Sequence, residues 1–111
     1  VMNDIRDIIP GIIDYIEKHA SSQISMNEMA KKYFYSPAYF SRAFKKNFGV
    51  SFSAYVQSVR VQKVIELLDC TTLSVEEISE KIGYHDKREL NRAFKNVTGT
   101  TPGEYRKTKM T

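Results

Sequence analysis

The sequence predicts an all-α chain of seven helices: two similar units, each a helix, a tight turn and a second helix, joined by a long linker helix. Three observations lead there. First, Arg42-Ala43-Phe44-Lys45 returns fifty positions later as Arg92-Ala93-Phe94-Lys95, and the same offset maps Phe40 to Leu90, Gly49 to Gly99, Ser51 to Thr101 and Tyr55 to Tyr105. Upstream, Met29-Ala30 maps to Ile78-Ser79 and Tyr35 to Tyr84 at forty-nine, so one residue is inserted within the unit. Second, apolar residues recur at helical spacing rather than alternating. Third, helix start and stop residues fall at matching places in both copies. Two copies are too few for a solenoid, so the pattern is a duplication that gives two lobes.

Ile12, Ile13, Ile16 and Ala20 continue the apolar stripe of Ile9 after Pro10, which predicts a first amphipathic helix running to about His19 and covering the core. Ser25 with Glu28 has capping-box spacing, and Ser74 with Glu77 repeats it. Ser36-Pro37 supplies a cap followed by proline at the first helical position, and Asp86 with Glu89 supplies the corresponding start. Gly49 and Gly99 stand where these second helices should end in a left-handed cap. Ser51 starts the linker helix, whose Val61, Val64, Ile65 and Leu68 are helically spaced, and Thr101-Pro102 with Glu104 starts the last helix. The expected boundaries are 1–52 for the first unit, 53–70 for the linker helix and 71–111 for the second unit. A linker of that size would be roughly 25 Å long.

Composition narrows the function. At 111 residues the chain is too short for a barrel or doubly wound enzyme, while 41% hydrophobic and 27% charged residues fit a globular fold. Seventeen Lys and Arg against thirteen Asp and Glu leave a net charge of +4, which suits a polyanionic partner. The one cysteine, Cys70, allows no internal disulfide and fits a reducing cytoplasm; it is read as a packing residue because no base or oxyanion partner is visible. His19 and His85 are too far apart in sequence to suggest a metal cluster, so no metal, cofactor or catalytic residue is expected. His19 is assigned to the surface, and His85 to a surface or capping role, with phosphate contact as its other reading. No apolar run approaches the roughly 18 residues that span a bilayer, and Val1-Met2-Asn3-Asp4 lacks the features of a signal peptide. A start on Val rather than Met predicts a piece of a longer protein.

The repeated helix carries the functional signal. In 37–48, Phe40, Ala43, Phe44 and Phe48 share one side, opposite Ala38, Ser41, Arg42 and Lys45. In the second copy Leu90, Ala93, Phe94 and Val97 are expected inward, and Arg88, Asn91, Arg92 and Lys95 outward. From Met29 to Ile65 there are seven basic residues and no acid; solvated faces usually mix both signs, so a stretch purged of carboxylates suits an approach to phosphates. The acids gather before residue 29 and between 66 and 80, on what should be the side away from DNA. Helix, tight turn and second helix with a basic outer face is the helix-turn-helix arrangement, whose second helix enters the major groove. Arg42 and Arg92 occupy equivalent outward positions from which a guanidinium can pair with guanine O6 and N7. The thirteen Phe and Tyr residues are read as core and helix joints rather than a base-stacking platform.

The second unit, from I-S-E-K-I-G-Y at Ile78 through R-A-F-K to the terminal G-T-T-P-G-E-Y-R, resembles the signature of the AraC/XylS family of bacterial transcription regulators. The first unit's S-P-A-Y-F-S-R-A-F-K-K-N-F-G is similar to the family's companion pattern, and the resemblance covers about residues 8–106. It implies a seven-helix module with two recognition helices, about 37–48 and 86–97, in successive major-groove segments of one asymmetric double-stranded DNA site. By position it implies base contacts from Ala38, Ser41 and Arg42 and from Lys87, Arg88, Asn91 and Arg92. Phosphate contacts are assigned to Ser36, Lys45, Lys46 and Lys95. The resemblance further implies transcription activation and contact with RNA polymerase. The isolated module is expected to be monomeric, and any dimer of the whole protein to form through a domain absent from this sequence. Phe52 stands where the family often has proline, Ser79 where it often has alanine, and Lys87-Arg88-Glu89-Leu90 replaces a more usual serine, tyrosine and phenylalanine run. The competing reading is a helical protein-interaction module whose basic face meets an acidic partner.

Overall fold

Seven helices follow one another along residues 5–109, the part of the chain that the computed structural model describes: α1 Ile5–His19, α2 Met26–Lys32, α3 Pro37–Phe48, α4 Phe52–Cys70, α5 Val75–Ile82, α6 Lys87–Thr98 and α7 Pro102–Lys109. Among these residues there is no strand. The opening Val1-Met2-Asn3-Asp4, read above for a signal peptide, lies outside them. The chain divides into two compact units at Val56 and Gln57, inside α4, and each has its own core.

Local chemistry explains most of the helix ends. Ser36 Oγ accepts the Tyr39 N–H at 3.2 Å and Pro37 opens α3. Asp86 Oδ1 accepts the Glu89 N–H at 2.9 Å and opens α6. Both second helices close on glycine in the left-handed conformation, Gly49 at φ 81° and Gly99 at φ 87°. Ser51 and Thr101 cap α4 and α7 through the N–H groups of Ala54 and Glu104. At Ser74 both arms of the capping box are made, whereas at Ser25 the hydroxyl accepts from Glu28 N–H without the expected return arm from the Glu28 carboxylate. The turns inside the two units also differ. The second bends at Gly83, φ 87°, while its counterpart in the first is Phe34, a side chain held at φ 64° and 89% exposed.

The first unit's core joins Ile12 and Ile16 of α1 to Met29, Ala30, Tyr35, Phe40, Phe44 and Phe52. Around Phe44 the aromatic rings are closely arranged: Phe48 stacks on it at 3.9 Å, and Phe52 and Tyr55 meet it edge-on at 5.2 and 5.8 Å. The second unit's core gathers Val61, Val64 and Leu68 of α4 with Ile78, Ile82, Tyr84, Leu90, Ala93 and Phe94. Tyr105 of α7 covers Phe94 edge-on at 5.8 Å and sends its hydroxyl to Asp69.

Three sequence expectations are corrected here. The first helix does not begin at Pro10 but at Ile5, with Pro10 inside it. Proline in a helix interior removes one N–H, but Ile5 falls on the stripe of Ile12 and Ile16 and is buried, while Pro10 stands on the solvent side. Val97, expected inward, is 45% exposed: Tyr105 packs on Phe94 one turn earlier, and the repeat counterpart of the half-buried Phe48 is Thr98. Cys70, expected to pack, is exposed at the end of α4, past the last buried residue of that helix, Leu68.

Candidate nucleic-acid interface

On α3 the division into two faces is as expected. Phe40 and Phe44 are fully buried, and Ala38, Ser41, Arg42, Lys45 and Lys46 are exposed on the other side. Ser36 is exposed at the cap; its Oγ is engaged as an acceptor, so its O–H proton remains the group that can donate outward. Arg42, Lys45 and Lys46 take part in no ion pair among the described residues. Their charge is available to an incoming anion.

The corresponding face of α6 is different. Leu90, Ala93 and Phe94 are buried and Arg92 and Lys95 are exposed outside any described ion pair, but Asn91 is half-buried. Lys87 Nζ lies 3.0 Å from Glu76 Oε1 on α5, so this candidate reader is already paired within its own unit. Arg88 is almost fully exposed, with one nitrogen 3.9 Å from Asp86 Oδ2. His85 Nδ1 approaches that same oxygen at 3.6 Å, which places His85 beside the cap. The Glu89 N–H holds the Asp86 carboxyl below its ordinary range, with His85 and Arg88 adding to the effect, so Asp86 stays ionised as a cap. Glu76 is lowered too, first by its own backbone N–H and then by Lys87.

Sequence reasoning missed two features that join residues far apart in the chain. One is the Glu76–Lys87 pair. The other is a cleft of about 500 Å³ in the first unit where Ile5 and Arg6 of α1 meet Tyr39, Arg42, Lys46 and Asn47 of α3. The absence of acids between residues 29 and 65 foreshadows the basic wall from α3, but nothing local ties Arg6 to it. Among the described residues no cluster of His, Cys, Asp and Glu is placed to hold a metal, and no helix is long and apolar enough to cross a membrane.

A capped helix, a tight turn and a second helix with a buried aromatic side and a basic outer side, present twice, define a tandem helix-turn-helix DNA-binding module. The family model for a helix-turn-helix domain matches residues 29–108, and the chain belongs to the AraC/XylS family of transcription regulators. It is 38% identical over 104 residues to the HTH-type transcriptional regulator YtdP of Bacillus subtilis, covering 94% of this chain and 14% of that protein. The C-terminal domain of AraT, a response regulator from Geobacillus stearothermophilus, superposes with a TM-score of 0.80 at 36% identity over 86% of this chain and 79% of that one. The DNA-binding domain of AdpA, solved with a target DNA, shares the fold with a TM-score of 0.82 at 22% identity, covering 89% of each chain. The chain spans 14%, 33% and 29% of the lengths of three curated relatives that it matches.

Proposed function

We propose that this module binds double-stranded DNA sequence-specifically, with α3 and α6 as recognition helices in successive major-groove segments of an asymmetric site. The observation that carries the proposal is the repetition itself: two helices at equivalent positions each bury an aromatic face and present exposed arginine and lysine opposite it. Ala38, Ser41 and Arg42 read one half-site, and Arg88, Asn91 and Arg92 the other, with Lys87 joining them when it leaves Glu76. Arginine is suited to guanine O6 and N7, asparagine to adenine, and alanine to a thymine methyl group. Ser36, Lys45, Lys46 and Lys95 hold phosphates and set the register of the module on the duplex. Because the two faces differ in residues, the two half-sites differ in sequence and the site has a direction.

Within a longer protein the module directs transcription regulation in the bacterial cytoplasm. Activation through RNA polymerase is the mode that the family resemblance supplies. Selection of bound sequences from a random duplex pool tests the DNA-binding proposal. It should return two unlike motifs whose centres are about one helical turn, roughly 34 Å, apart. A single motif, a palindrome, or salt-dependent binding with no preferred sequence would contradict it, and the last result would favour an acidic protein as partner.

A further inference from the structure

We propose that Tyr39 donates its phenol O–H to a backbone phosphate of the half-site that α3 enters, a contact that the second unit does not repeat. The inference rests on the DNA-binding proposal above and adds to α3 a residue that is neither one of its readers nor one of its lysine anchors. Tyr39 stands in the first turn of α3, where Ser36 Oγ takes its backbone N–H. At about 100° per residue, Arg42 stands almost opposite the side of the helix that buries Phe40 and Phe44. Ala38 and Lys45 fall on one flank of Arg42, and Tyr39 and Lys46 on the other, so Tyr39 lies nearer the outward direction than Ser41 does. Tyr39, Arg42 and Lys46 also line one cleft, which makes that flank a continuous surface. The phenol is 40% exposed, and its hydroxyl makes no hydrogen bond among the described residues. Its ring is held in place, because the buried Tyr35 ring packs against it at 5.1 Å, so little freedom is lost when the hydroxyl is engaged.

The place of Tyr39 on the helix decides what it meets. With Arg42 at the centre of the face and turned to the base edges, side chains on its flanks meet the walls of the groove, which are backbone phosphates. Tyrosine hydroxyls donate to such phosphates and position the reader without selecting sequence. In the second unit the repeat counterpart of Tyr39 is Glu89, whose carboxylate accepts the His85 N–H at 3.4 Å and would repel a phosphate. The contact therefore belongs to one half-site only and adds to the direction of the site.

The test compares wild type and Tyr39→Phe on the selected duplex and on a random duplex over a series of salt concentrations, with helix content measured in parallel. Tyr39→Phe keeps the ring on Tyr35 and removes only the hydroxyl. It should weaken both duplexes alike, by about 3- to 10-fold. Salt dependence and base preference should stay as in wild type, because a hydroxyl displaces no counterion and a phosphate contact reads no sequence. A neutral methylphosphonate is then placed at each phosphate of the selected duplex in turn. In the half-site where Arg42→Ala loses base preference, and not in the other, one position should reproduce the Tyr39→Phe defect in wild type and leave Tyr39→Phe itself indifferent. If wild type selects its duplex while Tyr39→Phe matches it in affinity, the phosphate contact is wrong and the DNA-binding proposal stands. A loss confined to one base pair makes Tyr39 a base reader and overturns the phosphate contact. Wild type that prefers no duplex overturns both.

Discussion

Lys87 and Glu76 form an ion pair at 3.0 Å that bridges the two helices of the second helix-turn-helix unit. In the DNA-binding mode proposed above, this cation is partly neutralised, and Lys87 would exchange one carboxylate for a base edge or phosphate. Exposed pairs of this kind are weak, so the exchange is feasible, but it reduces what Lys87 adds to binding. The first unit has no equivalent restraint on Arg42, Lys45 or Lys46 among the described residues.

Replacing Glu76 with Gln should therefore strengthen DNA binding. The change frees Lys87 and removes a negative charge near the phosphates. Affinity for specific and random duplexes should rise about two- to fivefold, with a steeper salt dependence. Fluorescence titration at two salt concentrations checks this. Unchanged affinity would mean that Lys87 does not approach DNA.

Ser79 is buried at 2% exposure, its Oγ has no hydrogen-bond partner among the described residues, and its repeat counterpart in the first unit is the fully buried Ala30. A buried hydroxyl left without a partner costs about 1–3 kcal/mol, and alanine is the better helix former. Ser79→Ala should raise the stability of the second unit by about 1 kcal/mol in urea unfolding. A lower stability would show that the hydroxyl is satisfied in solution.

The caps predict how acid acts on each unit. Glu77 is held below its ordinary 4.5 by the Ser74 N–H and hydroxyl, Glu104 by the Thr101 hydroxyl and N–H, and Asp86 below 3.8 by the Glu89 N–H. A carboxylate with a depressed folded pKa contributes stability that is fully present above the unfolded value and is lost as pH falls through the folded one. The starts of α5, α6 and α7 should therefore loosen as pH drops below about 4, while α3 and α4, capped by the hydroxyls of Ser36 and Ser51, hold on. Amide exchange at stepped pH reads this directly. Simultaneous loss of protection at all five starts would contradict it.

The duplication, seven helices and most caps are legible in the sequence because each depends on residues within a turn or two of one another: Ser36 with Tyr39, Asp86 with Glu89, Gly49 and Gly99 at the ends. What escapes it depends on which element packs where. Val97 has a core residue's helical phase, yet Tyr105 covers Phe94 instead, and Cys70 lies beyond the packed part of α4. Pro10 reads locally as a boundary and is overruled by burial of Ile5 five residues earlier. In the interface, the outward faces of α3 and α6 follow from periodicity. The pairing of Lys87 with Glu76 and the meeting of Arg6 with Arg42 do not, because each joins the second helix of a unit to another helix.

The central claim is that α3 and α6 each read a different part of one DNA site. The most direct measurement is the affinity of Arg42→Ala and Arg92→Ala for the selected duplex and for every single-base variant of it. Each substitution should abolish discrimination at its own base position, a loss of about 1–3 kcal/mol there, and leave the other's intact, with the two positions about one helical turn apart. Equal, uniform loss on all duplexes from both substitutions would contradict the account, because the two arginines would then be phosphate anchors rather than readers.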